Sequence, residues 1–156
     1  MQVVSVRDDI VTQCEAITSG ESDLIANLAN ISALIFDQFE DINWAGFYLT
    51  RGERELVLGP FQGKVACVRI PFGQGVCGVA ADSQALQHVH DVHEFSGHIA
   101  CDAASNAEVV APIIVNGKTV GVLDIDSPTV GRFSAEDAEM FARIAAICAT
   151  FNWNQA

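Results

Sequence analysis

The sequence predicts an α+β fold: one central antiparallel β-sheet with N- and C-terminal helices packed on one side. Three observations predict it. Apolar residues recur at helical spacing near both ends of the chain, short β-rich segments fill the middle, and an Asn116-Gly117 pair joins two apolar β-branched stretches. With 156 residues, half of them hydrophobic, the chain suits one domain over residues 1–156 with a full core. No internal repeat, low-complexity tract or Pro/Ser linker divides it.

Each element follows from local sequence. Residues 8–18 read as a first helix. In the next, Leu24, Leu28, Ile31 and Ile35 make an apolar stripe, with Asp23, Asn27 and Asn30 turned away from it. Ile42 to Leu49 reads as a strand, followed by Glu55 to Leu58 and Ala66 to Ile70, with Gly52 and the Gly59-Pro60 pair as punctuation. Gly73-Gln74-Gly75-Val76-Cys77-Gly78 has the letters of a dinucleotide-binding loop. Such a loop belongs in a strand-helix-strand unit with an acidic ribose partner, whereas an antiparallel meander precedes this one. The glycines are read instead as turning the chain into a short helix, residues 76–82, beside a site that needs close backbone approach. Residues 86–106 form a long polar stretch that holds His88, His90, His93 and His98 and passes Cys101; loops of this length in compact domains are usually functional. Glu108 to Val115 and Thr119 to Ile125 are two central strands. Ser134-Ala135-Glu136-Asp137 resembles a capping box, and Phe141, Ile144, Ala145 and Cys148 continue at helical spacing. This last helix packs on the sheet or on a second copy of the chain, which leaves a homodimer open.

Charge and composition exclude several classes of function. A formal net charge of -12 and the lack of a basic stripe argue against nucleic acid as a partner. Most of the carboxylates are expected to solvate the surface. No apolar run approaches the roughly 20 residues a membrane helix needs, so no membrane association is expected. The first residues carry Asp8 and Asp9 rather than a basic start and an apolar core, which predicts a cytoplasmic protein without structural disulfides.

The five cysteines divide by context. Cys14 and Cys148 lie on helical segments and read as small core residues. Cys67, Cys77 and Cys101 lie in three different loop-like contexts, and that pattern in a reducing compartment points to redox chemistry. Cys101 is the best placed nucleophile. It precedes Asp102-Ala103-Ala104-Ser105, a potential helical turn whose amides favour a thiolate, and His98 lies three residues upstream. The four histidines could suggest zinc with Cys101 or Cys77, but no Cys-x-x-Cys pair supplies the usual spacing, so neither a metal nor a cofactor is expected.

Glu108, Asp124 and Asp126 are acidic positions within apolar strands, costly unless paired or used. Alternation puts Asp124 and Asp126 on one face. A two-residue turn at Asn116-Gly117 pairs Val115 with Lys118, however, and counting back sets Glu108 opposite Ile125, on the other face. The three can converge only if a register irregularity lies between Glu108 and Asn116; Pro112, which cannot donate to a ladder, is the marker expected. Trp44 and Tyr48 share a strand face, with Gly46 leaving space between them.

These residues carry a resemblance over nearly the whole chain. Asn43-Trp44-Ala45-Gly46-Phe47-Tyr48-Leu49, Gly59-Pro60-Phe61-Gln62-Gly63-Lys64, Cys67-Val68-Arg69-Ile70-Pro71, Gly75-Val76-Cys77-Gly78, Gly97 to Asn106 and Gly121 to Ser127 together resemble the free methionine-(R)-sulfoxide reductases, a catalytic branch of the GAF domains. The resemblance implies a GAF-like fold and the reduction of free L-methionine-(R)-S-oxide. It implies Cys101 as nucleophile, Cys67 as resolving thiol with Cys77 as second or alternative resolver, and a substrate pocket lined by Trp44, Tyr48, Glu108, Asp124 and Asp126. Thioredoxin is the reductant it implies. The chemistry agrees, because sulfoxide reduction needs a nucleophile for sulfur, a proton for the departing oxygen and a second thiol. Two other classes stay in view: a GAF sensor that switches through a Cys67-Cys101 disulfide without turnover, and a zinc protein built on the histidine loop.

Overall fold

The computed structural model describes residues 5–97 and 104–155. Along the chain lie α1 (Val6–Thr18), α2 (Leu24–Gln38), β1 (Trp44–Arg51), β2 (Glu55–Gly63), β3 (Arg69–Pro71), α3 (Gly75–Ser83), β4 (Gln87–Val89), β5 (Ala107–Val115), β6 (Lys118–Ser127) and α4 (Ala135–Cys148). The strands form one sheet in the order β3-β2-β1-β6-β5-β4, and every neighbouring pair is antiparallel. This is the predicted α+β architecture.

Alternation sorts the strand residues into two layers. Ala45, Phe47 and Leu49 of β1, Val109, Ala111 and Ile113 of β5, and Leu123 and Ile125 of β6 pack against α1, α2 and α4 in one apolar cluster. The α2 stripe (Leu24, Leu28, Ile31, Ile35) and Phe141, Ile144 and Cys148 of α4 are its fully buried helical side. On the opposite face, Trp44, Tyr48, Val110 and Val122 meet Leu56, Ile70 and α3 through Val76, Cys77 and Ala80. The helices from the two ends of the chain thus share one side, and the glycine-rich segment covers the other.

Several sequence expectations shift. Asn27, placed away from the α2 stripe, is buried, because its amide donates to the Glu21 carbonyl at 3.0 Å and ties down the turn before the helix. The Gly59-Pro60 pair does not end its strand: β2 runs through it by a bulge, two residues opposite Phe47, where a proline without N–H is tolerated. The strand foreseen at 66–70 is only β3. The polar stretch after Leu86 is not all loop, since β4 pairs with β5 at the sheet edge; three residues are too few to show alternation in sequence.

The hairpin carries the irregularity that the carboxylates required. Asn116 and Gly117 both have positive φ, 52° and 77°, as a type I′ turn demands, and Val115 pairs with Lys118. Ile114 then pairs with Thr119 but Ile113 with Gly121, so Val120 is an extra residue on β6. Pro112, the expected marker, pairs with Val122 in regular register. Beyond the bulge Glu108 stands opposite Asp126 and Val110 opposite Asp124.

Candidate active site

The face beneath α3 gathers the predicted residues. Asp126 lies between Trp44 on β1 and Glu108 on β5, and one pair further along Asp124 lies between Gly46 and Val110. All three carboxylates are buried, as are Trp44 and Tyr48. The aromatic pair forms a wall: the Trp44 and Tyr48 rings stack at 5.8 Å. The space over Gly46 is not left open, as alternation alone suggests. The β2 bulge sets Phe61 opposite Gly46, where any β-carbon would collide with the Phe61 side chain, and Phe61 stacks on Trp44 at 5.0 Å. Phe61 is the site neighbour that sequence reasoning missed; its signal lay in the register of β2 rather than in β1.

Hydrogen bonds lock this wall to the segment that carries Cys67. Trp44 Nε1 donates to the Lys64 carbonyl at 3.2 Å and the Tyr48 hydroxyl donates to the Cys67 carbonyl at 3.0 Å. Cys67 is half-buried and disulfide-bonded. Cys14, Cys77 and Cys148 are free and buried. Cys14 and Cys148 belong to the core on the other face, as predicted. Cys101 and His98 lie outside the described residues.

The glycines before α3 explain how Cys77 reaches the site. Gly73 and Gly75 have positive φ, and a β-carbon at Gly78 would collide with the Pro71 carbonyl, so the helix lies close against β3. That approach puts the Cys77 thiol 3.8 Å from Glu108 Oε2. The short-helix expectation holds, with α3 one residue longer at each end.

Burial dominates the electrostatics. It pushes the Glu108 carboxyl well above the usual carboxylate range, and the neighbouring charge of Asp124 pushes further. Burial does the same to Asp124, with Asp126 as its main charged neighbour. Cys77 is raised by burial and then by Asp124, Glu108 and Asp126, which leaves it a protonated, weakly nucleophilic thiol at neutral pH. A carboxyl that keeps its proton at pH 7 can donate it, while an ionised neighbour can hold an ammonium group.

Two of the histidines are engaged elsewhere. His88 Nε2 lies 2.7 Å from the Phe133 carbonyl and His93 Nε2 lies 2.9 Å from Asn106 Oδ1. Among the described residues, the group of side chains close enough to share a cation contains no histidine, so a zinc protein built on the histidine loop finds no support.

Comparison with known proteins places this geometry. The family model described as a GAF domain matches residues 26–151. The chain is 53% identical to the free methionine-R-sulfoxide reductase of Escherichia coli (strain K12) over 138 residues, 88% of this chain and 83% of that protein. It is 45% identical over 147 residues to the protein of the same name from Saccharomyces cerevisiae, covering 90% and 82% of the two chains. The Staphylococcus aureus fRMsr structure in complex with substrate superposes with a TM-score of 0.87 at 45% identity, covering 96% of this chain and 97% of that one. On these matches the protein belongs to the GAF-domain family and, within it, to the free methionine-R-sulfoxide reductases.

Proposed function

We propose that this protein reduces free methionine-(R)-sulfoxide to methionine, with Cys101 as nucleophile and Cys67 as resolving thiol. Trp44 and Tyr48 hold the S-methyl end of the substrate, and Glu108, Asp124 and Asp126 receive its ammonium group and supply a proton. The reaction starts when a buried carboxyl protonates the sulfoxide oxygen as the Cys101 thiolate attacks sulfur. The S–O bond breaks, oxygen passes to Cys101 as a sulfenic acid, and methionine leaves. Cys67 condenses with the sulfenic acid to a disulfide and releases water. A dithiol such as thioredoxin then returns two electrons and two protons to the disulfide. Atoms balance: the sulfoxide oxygen ends in water.

One observation carries this reading: the disulfide at Cys67, tied through its carbonyl and Tyr48 to the sheet face that bears the carboxyls. Cys14, Cys77 and Cys148 are free thiols among five cysteines, which supports Cys101 as the partner of Cys67. The raised pKa of Cys77 argues against it as the resolving thiolate. A turnover assay on each sulfoxide epimer, with dithiothreitol and with thioredoxin, tests the activity. Cys101→Ser should form no methionine, and turnover surviving in it overturns the nucleophile. Cys67→Ser should release about one equivalent and then stall with thioredoxin. Full recycling there would move the resolving role to Cys77. A redox sensor without turnover would bind the sulfoxide and consume none.

A further inference from the structure

Cys77 of α3, Glu108 of β5 and Asp124 of β6 bring a thiol sulfur and two carboxylate oxygens to one point, the three atoms within 4.8 Å of one another. We infer that this cluster is a binding site for a zinc-class divalent cation, which competes there with the ammonium group of the substrate. The competition rests on the proposed substrate pocket; the cation site rests on its own geometry.

The spacing is close to what coordination requires. A tetrahedral ion with sulfur at about 2.3 Å and oxygen at about 2.0 Å sets those two ligands about 3.5 Å apart, and Cys77 Sγ lies 3.8 Å from Glu108 Oε2. A few tenths of an ångström closes that pair, and the remaining separations, all within 4.8 Å, close by rotation of the carboxylate side chains. The three residues sit on a helix and two paired strands, so the backbone holds the ligands in place. A second observation points to a ligand independently. Asp124 Oδ1 is buried with no hydrogen-bond partner of its own, on a residue only 5% exposed whose carboxyl otherwise meets Cys77, Glu108 and Asp126. An acceptor left this way costs free energy that a cation would recover.

The donor set selects the ion. One sulfur and two oxygens suit zinc, whereas magnesium and calcium prefer all-oxygen shells with more ligands. A water molecule would complete the tetrahedron. Entry of the ion displaces two protons to solvent, one from the Cys77 thiol and one from the carboxyl pair, and no electrons move. Because Cys67 is disulfide-bonded while Cys77 stays free, the disulfide form is competent to bind. Free zinc is therefore an inhibitor that seats on the substrate's own carboxylates.

Cobalt(II) titrated into the metal-free disulfide form, without substrate, tests the site. The expected result is one equivalent bound, with tetrahedral absorption and a thiolate-to-cobalt charge-transfer band, displaced by zinc and by free methionine. Cys77→Ser should lose the charge-transfer band. Glu108→Gln should keep it while weakening cobalt binding by about tenfold or more. No binding to the native protein, a band unchanged in Cys77→Ser, or unchanged affinity in Glu108→Gln each overturns the site; the last decides the matter if Cys77→Ser does not fold. Turnover with a chelator present is measured separately. An active enzyme that ignores cobalt refutes the cation site alone, and cobalt binding in a protein that never reduces sulfoxide removes only the activity and the competitor.

Discussion

The chain buries carboxylates in two places and treats them in opposite ways. At the start of α4, Asp137 is only 5% exposed, yet its oxygens accept from the Ser134 amide at 3.0 Å and from Arg7 Nε at 2.8 Å, with Arg132 at 3.5 Å. Burial pushes this carboxyl up, but those bonds outweigh it and hold it below the usual range. Under α3, Glu108 and Asp124 are also buried, and their chief neighbours are a thiol, Asp126 and each other, so burial and then these charges drive both well above that range. A carboxylate with cationic partners stabilises the fold, whereas one surrounded by its own kind is maintained at the expense of stability. The contrast separates an acid that supports the fold from acids that are candidates for reaction, without reference to any relative.

The sharpest way to break the comparison is to damage the helix-covered layer alone. Phe141 is fully buried and packs edge-on against Phe39 and Phe133 at 5.2 and 6.0 Å. Phe141→Ala should cost about 3–5 kcal/mol of unfolding free energy and leave the KM for sulfoxide nearly unchanged in whatever protein remains folded. Denaturant melts with parallel kinetics check it. A KM shift as large as the stability loss would mean that the two layers are not independent.

The apolar layer was also the legible part of the sequence. The α2 stripe, the capping box at Ser134 and the Asn116-Gly117 turn are local signals, and each stands where periodicity and turn chemistry put it. The site was legible as a set of residue types but not as an assembly. Strict counting from the turn set Glu108 on the wrong face, and only the need for convergence demanded a bulge. That bulge lies at Val120 rather than Pro112, because a β-branched residue carries no local mark of being unpaired. Phe61 over Gly46 and Asn27 against Glu21 are likewise pairings between distant or turning segments, which composition does not encode.

A smaller and more telling perturbation removes the titrating group from one of the acids proposed to react. With the folded pKa raised, the unfolded chain ionises first as pH rises, so these groups drain stability from the ordinary carboxylate range up to their folded value, and the loss is complete above it. Asp124→Asn removes its own part of that drain and lessens the part of Glu108, which burial still raises. It should raise the midpoint of thermal unfolding at pH 7 by roughly 2–4 °C for each kcal/mol regained and flatten the dependence of stability on pH. Its kcat/KM for methionine sulfoxide should fall about 100-fold. A variant both less active and less stable would show that Asp124 serves the fold as Asp137 does.

Asp137→Asn supplies the opposite sign and the smallest effect. The folded pKa of Asp137 is depressed, so its contribution is present above the unfolded value and disappears as pH falls through the folded one. The Arg7 side chain is 42% exposed, so solvent screens that pair, and the loss at pH 7 should be only about 1 kcal/mol. Urea melts of both proteins should therefore differ at neutral pH and converge below the usual aspartate range, where the native carboxyl is protonated and resembles the amide. A gap that stays constant with pH would mean that shape and neutral hydrogen bonding, rather than charge, are what Asp137 gives to α4, and the division between the two kinds of buried acid would rest on Glu108 and Asp124 alone.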